Sequence, residues 1–92
     1  MKQKKITIVE VGPRDGLQSE PEILPTASKI KYISQAIAAG ITRLEVASFV
    51  NPKKVPQMAD SEQLLAELPM TDAVSYIGLL MNERGLDRAL ET

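Results

Sequence analysis

Two hydrophobic periods alternate along this chain, and that alternation restricts its fold more than any other feature. Lys5–Val11 (KITIVEV), Ile41–Val50 (ITRLEVASFV) and Ala73–Leu80 (AVSYIGLL) are runs of β-branched and apolar residues that read as strands. Between them, apolar residues recur at helical spacing. Thr26 is placed to cap a first helix carrying Ile30, Ile33 and Ile37, and Gly40 stands at its C′ position. Asp60 or Ser61 is placed to cap a second, short helix whose inner face holds Leu64, Leu65 and Leu68. Asn82 is placed to cap a third, Glu83–Glu91, with Leu86 and Leu90 one turn apart. Two loops interrupt the pattern: Gly12–Pro25, punctuated by Gly and Pro, and Asn51–Ala59, with Pro52 and Pro56. Strands separated by helices pair in parallel through right-handed crossovers. The expectation is therefore an α/β fold of βαβαβα order, belonging to a doubly wound sheet or a (β/α)8 barrel.

Length separates these two. A (β/α)8 barrel takes about 250 residues, and this chain has 92. The pattern supplies three units of the eight, and the helical run Gly85–Thr92 has no capping Gly or Asn after it. Three parallel strands alone would leave two open edges. Residues 1–92 are thus expected to be the N-terminal portion of a single TIM-barrel catalytic domain, truncated after its third unit.

Composition limits the chemistry. At 43 % hydrophobic and 25 % charged residues the chain is globular in character. It has no His and no Cys, hence no disulfide, thiol nucleophile, imidazole base or imidazole ligand of its own. A net charge of −1 offers no basic signature for nucleic acid. The basic start Met1–Lys5 precedes an apolar run too short for a signal peptide, and no segment reaches 18 apolar residues. The expectation is a cytoplasmic protein that engages neither nucleic acid nor membrane.

In parallel α/β folds, functional groups collect at the carboxyl ends of the strands. Arg14, Asp15 and Gln18 follow the first predicted strand, Glu45 and Ser48 lie within the second, and Asn82 follows the third. Arg14-Asp15-Gly16 suits a turn carrying a solvated charge. It suits equally a carboxylate ligand for a divalent cation (Asp15) beside a donor for a developing oxyanion (Arg14). Glu45 sits mid-strand opposite Leu44 and Val46. If those two pack on helices, then Arg43, Glu45 and Ala47 point into a barrel, where a carboxylate needs a partner or a metal. Glu10 poses the same question, and Arg14 is a partner for either acid. Lys53-Lys54 reads as a solvated pair or as an entrance patch for an anionic, phosphate-bearing carrier. Asn82 reads as a helix cap.

These motifs resemble a known family. Val9-Glu-Val-Gly-Pro-Arg-Asp-Gly-Leu-Gln18 is similar to the first-strand signature of hydroxymethylglutaryl-coenzyme A lyase, a metal-dependent (β/α)8 enzyme. Its Arg-Asp-Gly-x-Gln core is shared with isopropylmalate and homocitrate synthases, whereas the preceding Glu-Val-Gly-Pro is closer to the lyase. A second block, Glu45-Val-Ala-Ser-Phe-Val-Asn-Pro-Lys-Lys-Val-Pro-Gln-Met-Ala-Asp60, and a weaker one at Asn82 and Gly85 also resemble it. The resemblance implies cleavage of hydroxymethylglutaryl-CoA to acetyl-CoA and acetoacetate. It gives Arg14 and Glu45 catalytic roles, and Arg14, Gln18 and Ser48 substrate-binding roles. Asp15 would ligate Mg²⁺ or Mn²⁺. It also implies an Asn further along the barrel, and two His and a Cys, residue types this sequence lacks, so the isolated chain is expected to be inactive. Lys54 stands where many relatives carry Trp, and Met81 where many carry Pro. Two other readings are a related acyl-CoA lyase or Claisen-type synthase, and a non-catalytic partial barrel that self-associates through open strand edges.

Overall fold

The computed structural model describes residues 6–92. Its elements are a π-helical turn Gly12–Gly16, helix α1 (Thr26–Ala38), strand β1 (Arg43–Ser48), a 3₁₀ turn Pro56–Met58, helix α2 (Ser61–Glu67), strand β2 (Ser75–Leu79) and helix α3 (Glu83–Leu90). β1 and β2 pair in parallel, as the intervening helix requires.

Of the three expected strands, two form among the described residues. The predicted strand Lys5–Val11 begins outside the described residues, and within them it meets β1 only at Glu10, which bridges Leu44 in parallel. Glu10 N donates to Arg43 O at 3.0 Å, and Glu45 N donates to Glu10 O at 2.9 Å. Leu44 also pairs with Tyr76, so β1 runs between residue 10 and β2, in the order expected of successive barrel strands.

The register contains an irregularity. Glu45 pairs with Ile77 and Ala47 with Gly78, leaving Val46 as an extra residue on β1. Such a bulge resets the two-residue alternation. Ala47, expected beside Arg43 and Glu45, instead joins the core, while Arg43 is exposed and Glu45 half-buried. The core comprises Ile33 from α1, Leu44, Val46 and Ala47 from β1, and Leu64 and Leu68 from the α2 region. Each fully buried Leu, Ile or Val contributes about 1.5–3 kcal/mol relative to exposure.

α1 ends as expected. Gly40 adopts φ +103°, its N–H donates to Ile37 O, and Ile41 N donates to Ala36 O, so a Schellman motif closes the helix. The side-chain contacts at the starts of α1 and α2 differ from expectation. Pro25 occupies the N-cap of α1, and the Thr26 hydroxyl donates to Asp60 Oδ2 at 2.5 Å instead of capping. Asp60 is the N-cap residue of α2, but its carboxylate receives Thr26 and the buried Lys29 ammonium rather than a helix N–H. The reason is one of magnitude. A cap is worth about 1 kcal/mol, whereas an unpaired buried ammonium costs several. Ser61 Oγ, fully enclosed, bridges Met58 O, Ser48 O and Ser48 N.

α3 docks by an unexpected face. Leu86 and Leu90 stay exposed, whereas Gly85 is buried. A Cβ on Gly85 would lie 2.8 Å from Phe49 O, and one on Gly78 would lie 2.8 Å from the Phe49 ring. Both glycines are therefore what lets β2 and α3 close on Phe49. No described helix is long and apolar enough to cross a membrane.

Candidate functional site

The loop expected over 12–25 opens with ordered helical structure. Val11 O accepts from the N–H groups of Arg14, Asp15 and Gly16. Pro13 occupies the first turn, where its missing N–H costs nothing. Glu10 Oε1 accepts from Gly12 N at 3.1 Å. A Cβ at Gly12 would meet the Tyr32 hydroxyl and the Glu10 carboxylate, so a larger residue there would require those two side-chain ends to move. Such π-type turns often accompany functional sites.

This turn aims Arg14 at β1. Arg14 Nε donates to Glu45 Oε1 at 2.6 Å, with both side chains 16 % exposed. The pairing answers the sequence question in favour of Glu45 rather than Glu10. It engages the guanidinium by Nε. Nη1 has only longer contacts, 3.5 Å to Gln18 Oε1 and 3.5 Å to Asp15 Oδ1. The outer nitrogens of a fixed, charged fork thus remain able to donate to an oxyanion. Asp15 itself is 63 % exposed. Arg14, Asp15, Gln18 and Glu45 are brought together.

Ser48 is placed apart from that group. Its side chain is fully buried, its main chain is tied to Ser61 Oγ, and its hydroxyl has no hydrogen-bond partner among the described residues. Asn82 caps α3 as expected, its side chain accepting from Gly85 N at 2.8 Å. Lys53 and Lys54 are exposed.

The residues present do not complete a cation site. Glu45 serves Arg14 and Glu10 serves Gly12 N, which leaves Asp15 as the one uncommitted carboxylate of the group. No three metal-ligating side chains cluster among the described residues.

Arg88 was not legible as a site-shaping residue. Its Nε and Nη2 donate to the two Glu62 oxygens at 3.0 and 2.6 Å, Nη1 donates to Val50 O at 2.8 Å, and the guanidinium lies 5.5 Å from the Phe49 ring centroid. The hydrogen bond from Arg88 holds the Glu62 carboxyl below its usual value against a smaller opposing effect of burial. One signal was available: on a helix whose leucines suggest the inner face, a guanidinium has the reach to bind neighbouring elements.

A parallel α/β chain with an arginine after its first predicted strand paired to a glutamate on the next has the arrangement of βα-repeat folds, in which functional sites form on the carboxyl rim. Comparison with known proteins narrows the class. No protein-family model matches the chain. Among curated relatives, the 3-hydroxy-3-isohexenylglutaryl-CoA/hydroxymethylglutaryl-CoA lyase of Pseudomonas aeruginosa is 46 % identical over 89 residues, covering 97 % of this chain and 30 % of the relative. The (R)-citramalyl-CoA lyase of Chloroflexus aurantiacus is 42 % identical over 94 residues, covering 91 % and 30 %. Among solved structures, hydroxymethylglutaryl-CoA lyase from Pseudomonas aeruginosa superposes with a TM-score of 0.90 at 46 % identity, covering 96 % of this chain and 29 % of that one. A hydroxymethylglutaryl-CoA lyase from Acinetobacter baumannii, in complex with coenzyme A and 3-methylmalate, gives 0.85 at 42 %, covering 90 % and 27 %. The chain is a homologue of hydroxymethylglutaryl-CoA lyases, and it spans about 30 % of the length of the relatives it matches.

Proposed function

We propose that this chain is part of a carbon–carbon lyase that splits hydroxymethylglutaryl-CoA into acetyl-CoA and acetoacetate. Residues 1–92 would form one portion of a single TIM-barrel domain of a cytoplasmic enzyme. The observation that carries the reading is the pairing of Arg14 with Glu45 on β1, with the guanidinium held closely by Nε while Nη1 makes only 3.5 Å contacts.

The reaction removes the proton of the tertiary hydroxyl and breaks the adjacent carbon–carbon bond. The hydroxyl carbon becomes the ketone of acetoacetate. The bond's electron pair passes into the thioester enolate, which takes a proton to give acetyl-CoA. Arg14 donates from its outer nitrogens to the thioester oxygen as negative charge grows there, where a preorganised donor is worth most. Glu45 fixes the guanidinium plane, a positioning role. Gln18 and Ser48 are assigned to the substrate pocket. A bound divalent cation, Mg²⁺ or Mn²⁺, would polarise the substrate hydroxyl and carboxylate. Asp15 would be one of its ligands, and the described residues hold too few further donors to close that site alone.

The test is turnover by the enzyme of which this chain would be part, followed through acetoacetate release. Arg14→Gln should lower kcat by about 100-fold or more with little change in fold. Unchanged turnover in that variant would sink the assignment. A second reading is a related acyl-CoA lyase, favoured by the 42 % identity to an (R)-citramalyl-CoA lyase. Higher kcat/KM on citramalyl-CoA than on hydroxymethylglutaryl-CoA would select it.

A further inference from the structure

The run from Gly12 to Glu20, which carries Arg14 and Gln18, is held differently at its two ends. At the first end Val11 O accepts three of its N–H groups, and Glu10 bridges Leu44 of β1. Further along, its hydrogen bonds are internal. Ser19 N and Oγ both donate to Asp15 O, and Glu20 N donates to Leu17 O. Residues 19–23 are exposed. Among the described residues, one hydrogen bond ties residues 17–24 to a distant part of the chain: Gln57 Nε2 donates to Glu20 O at 2.8 Å. Gln57 itself stands on a firm base. It lies in the turn Pro56–Met58, and its main-chain oxygen accepts the Lys29 ammonium at 2.5 Å. Lys29 and the adjoining Met58 are each 2 % exposed, and Asp60 also receives Lys29 at 2.5 Å. Charge-assisted bonds out of water hold that turn more firmly than a surface contact would. The Gln57 side chain thus reaches an exposed loop from a part of the fold that is fixed.

We propose that Gln57 is a positioning residue for Gln18 and, through it, for the open side of the Arg14 guanidinium. Gln18 stands two residues before the tethered carbonyl, and its Oε1 lies 3.5 Å from Arg14 Nη1. Arg14 Nε is held independently by Glu45 at 2.6 Å. Loss of the tether therefore releases the Gln18 end while the Arg14–Glu45 pair stays in place. The inference rests on the lyase reading above for what these two residues do, and adds what sets their spacing. The expected signature is a split: substrate binding through Gln18 weakens, whereas stabilisation of the growing charge by Arg14 survives.

Three substitutions test this, and each leaves intact the main-chain oxygen that Lys29 uses. Gln57→Leu removes the donor, Gln57→Glu turns it into an acceptor facing a carbonyl, and Gln57→Lys keeps a donor. In the isotope-labelled 92-residue chain, Gln57→Leu and Gln57→Glu should shift the amide resonances of residues 17–20 and the Gln18 side-chain amide. The Arg14 Nε–H resonance and the amides of α1 and β1 should stay in place, and Gln57→Lys should return residues 17–20 toward their parent positions. In the enzyme of which this chain would be part, Gln57→Leu and Gln57→Glu should raise KM for hydroxymethylglutaryl-CoA by about threefold to tenfold, with kcat within about twofold, and Gln57→Lys should restore KM. Unmoved 17–20 resonances in Gln57→Leu, or a Gln57→Lys chain that matches Gln57→Leu, overturn the tether. Loss of the whole spectrum in Gln57→Leu also overturns the proposal, because the side chain would then be a prop for the fold. An unchanged KM, or a fall in kcat as large as the rise in KM, overturns the positioning role. A parent enzyme that does not turn over this thioester would sink the lyase reading, and the resonances would still decide the tether.

Discussion

Lys29 is 2 % exposed, yet it carries an ammonium into the space between α1 and α2. It is tolerated because Nζ donates at 2.5 Å to both Gln57 O and Asp60 Oδ1, while Thr26 satisfies the second Asp60 oxygen. Breaking such a pair from one side strands the other charge. Lys29→Met should therefore cost about 3 kcal/mol in urea unfolding, and the double variant Lys29→Met/Asp60→Leu should recover part of that loss. A double variant losing the full sum of its singles would show that the pair is not coupled. Legibility at this scale followed charge placement. Arg14, Asp15, Gln18 and Glu45 were readable because charged and polar groups beside Gly-Pro turns and inside apolar strands are exceptions to pattern. Lys29 was not, because on a helix of alternating charge and isoleucine nothing distinguishes a buried lysine from a solvated one. Which acid Arg14 chooses was likewise open until the turn at Gly12–Gly16 fixed its direction.

Among the elements, α3 shows how a short amphipathic helix can dock through polarity. Its leucines face outward, and the Arg88–Glu62 fork joins it to α2. The folded-state pKa of Glu62 lies below its ordinary value because Arg88 hydrogen-bonds the ionised form. The ionised carboxylate thus favours the fold. That contribution is complete above the ordinary carboxylate range and is lost as pH falls through the lowered folded value. Glu62 is 43 % exposed, so solvent screening keeps the pair to about 1 kcal/mol or less. Thermal unfolding of the parent and of Glu62→Gln should differ at neutral pH and converge as pH falls through and below the carboxylate range. A gap that persists undiminished in acid would contradict this account. Element types and the Gly40 stop were legible from periodicity and backbone chemistry, which are local. Asp60 stands at the N-cap of α2 as read, but neither it nor Thr26 or Ser61 caps with its side chain, for one reason: a side chain able to cap can also serve a tertiary partner, and the stronger interaction wins.

As a whole the molecule is open in shape. Its radius of gyration of 13.9 Å exceeds the roughly 12 Å of a compact chain of this length. Ile77, Leu80, Met81, Leu86 and Leu90 remain exposed. The same openness governs its metal chemistry, since Asp15 stands without a second uncommitted carboxylate nearby. Mn²⁺ binding by the 92-residue chain, read by water-proton relaxation, should be millimolar or weaker. A micromolar site abolished by Asp15→Asn would mean that these residues complete a site by themselves. The sequence alone determined the parallel α/β order, the helix stop at Gly40 and the rim on which Arg14, Asp15 and Glu45 gather, because periodicity and topology follow from residue order. Only the tertiary structure decided that Arg14 takes Glu45, that Val46 bulges and draws Ala47 into the core, and that Arg88 and two glycines clamp Phe49. Each of those outcomes is a competition among partners distant in the chain, settled by packing and charge in three dimensions.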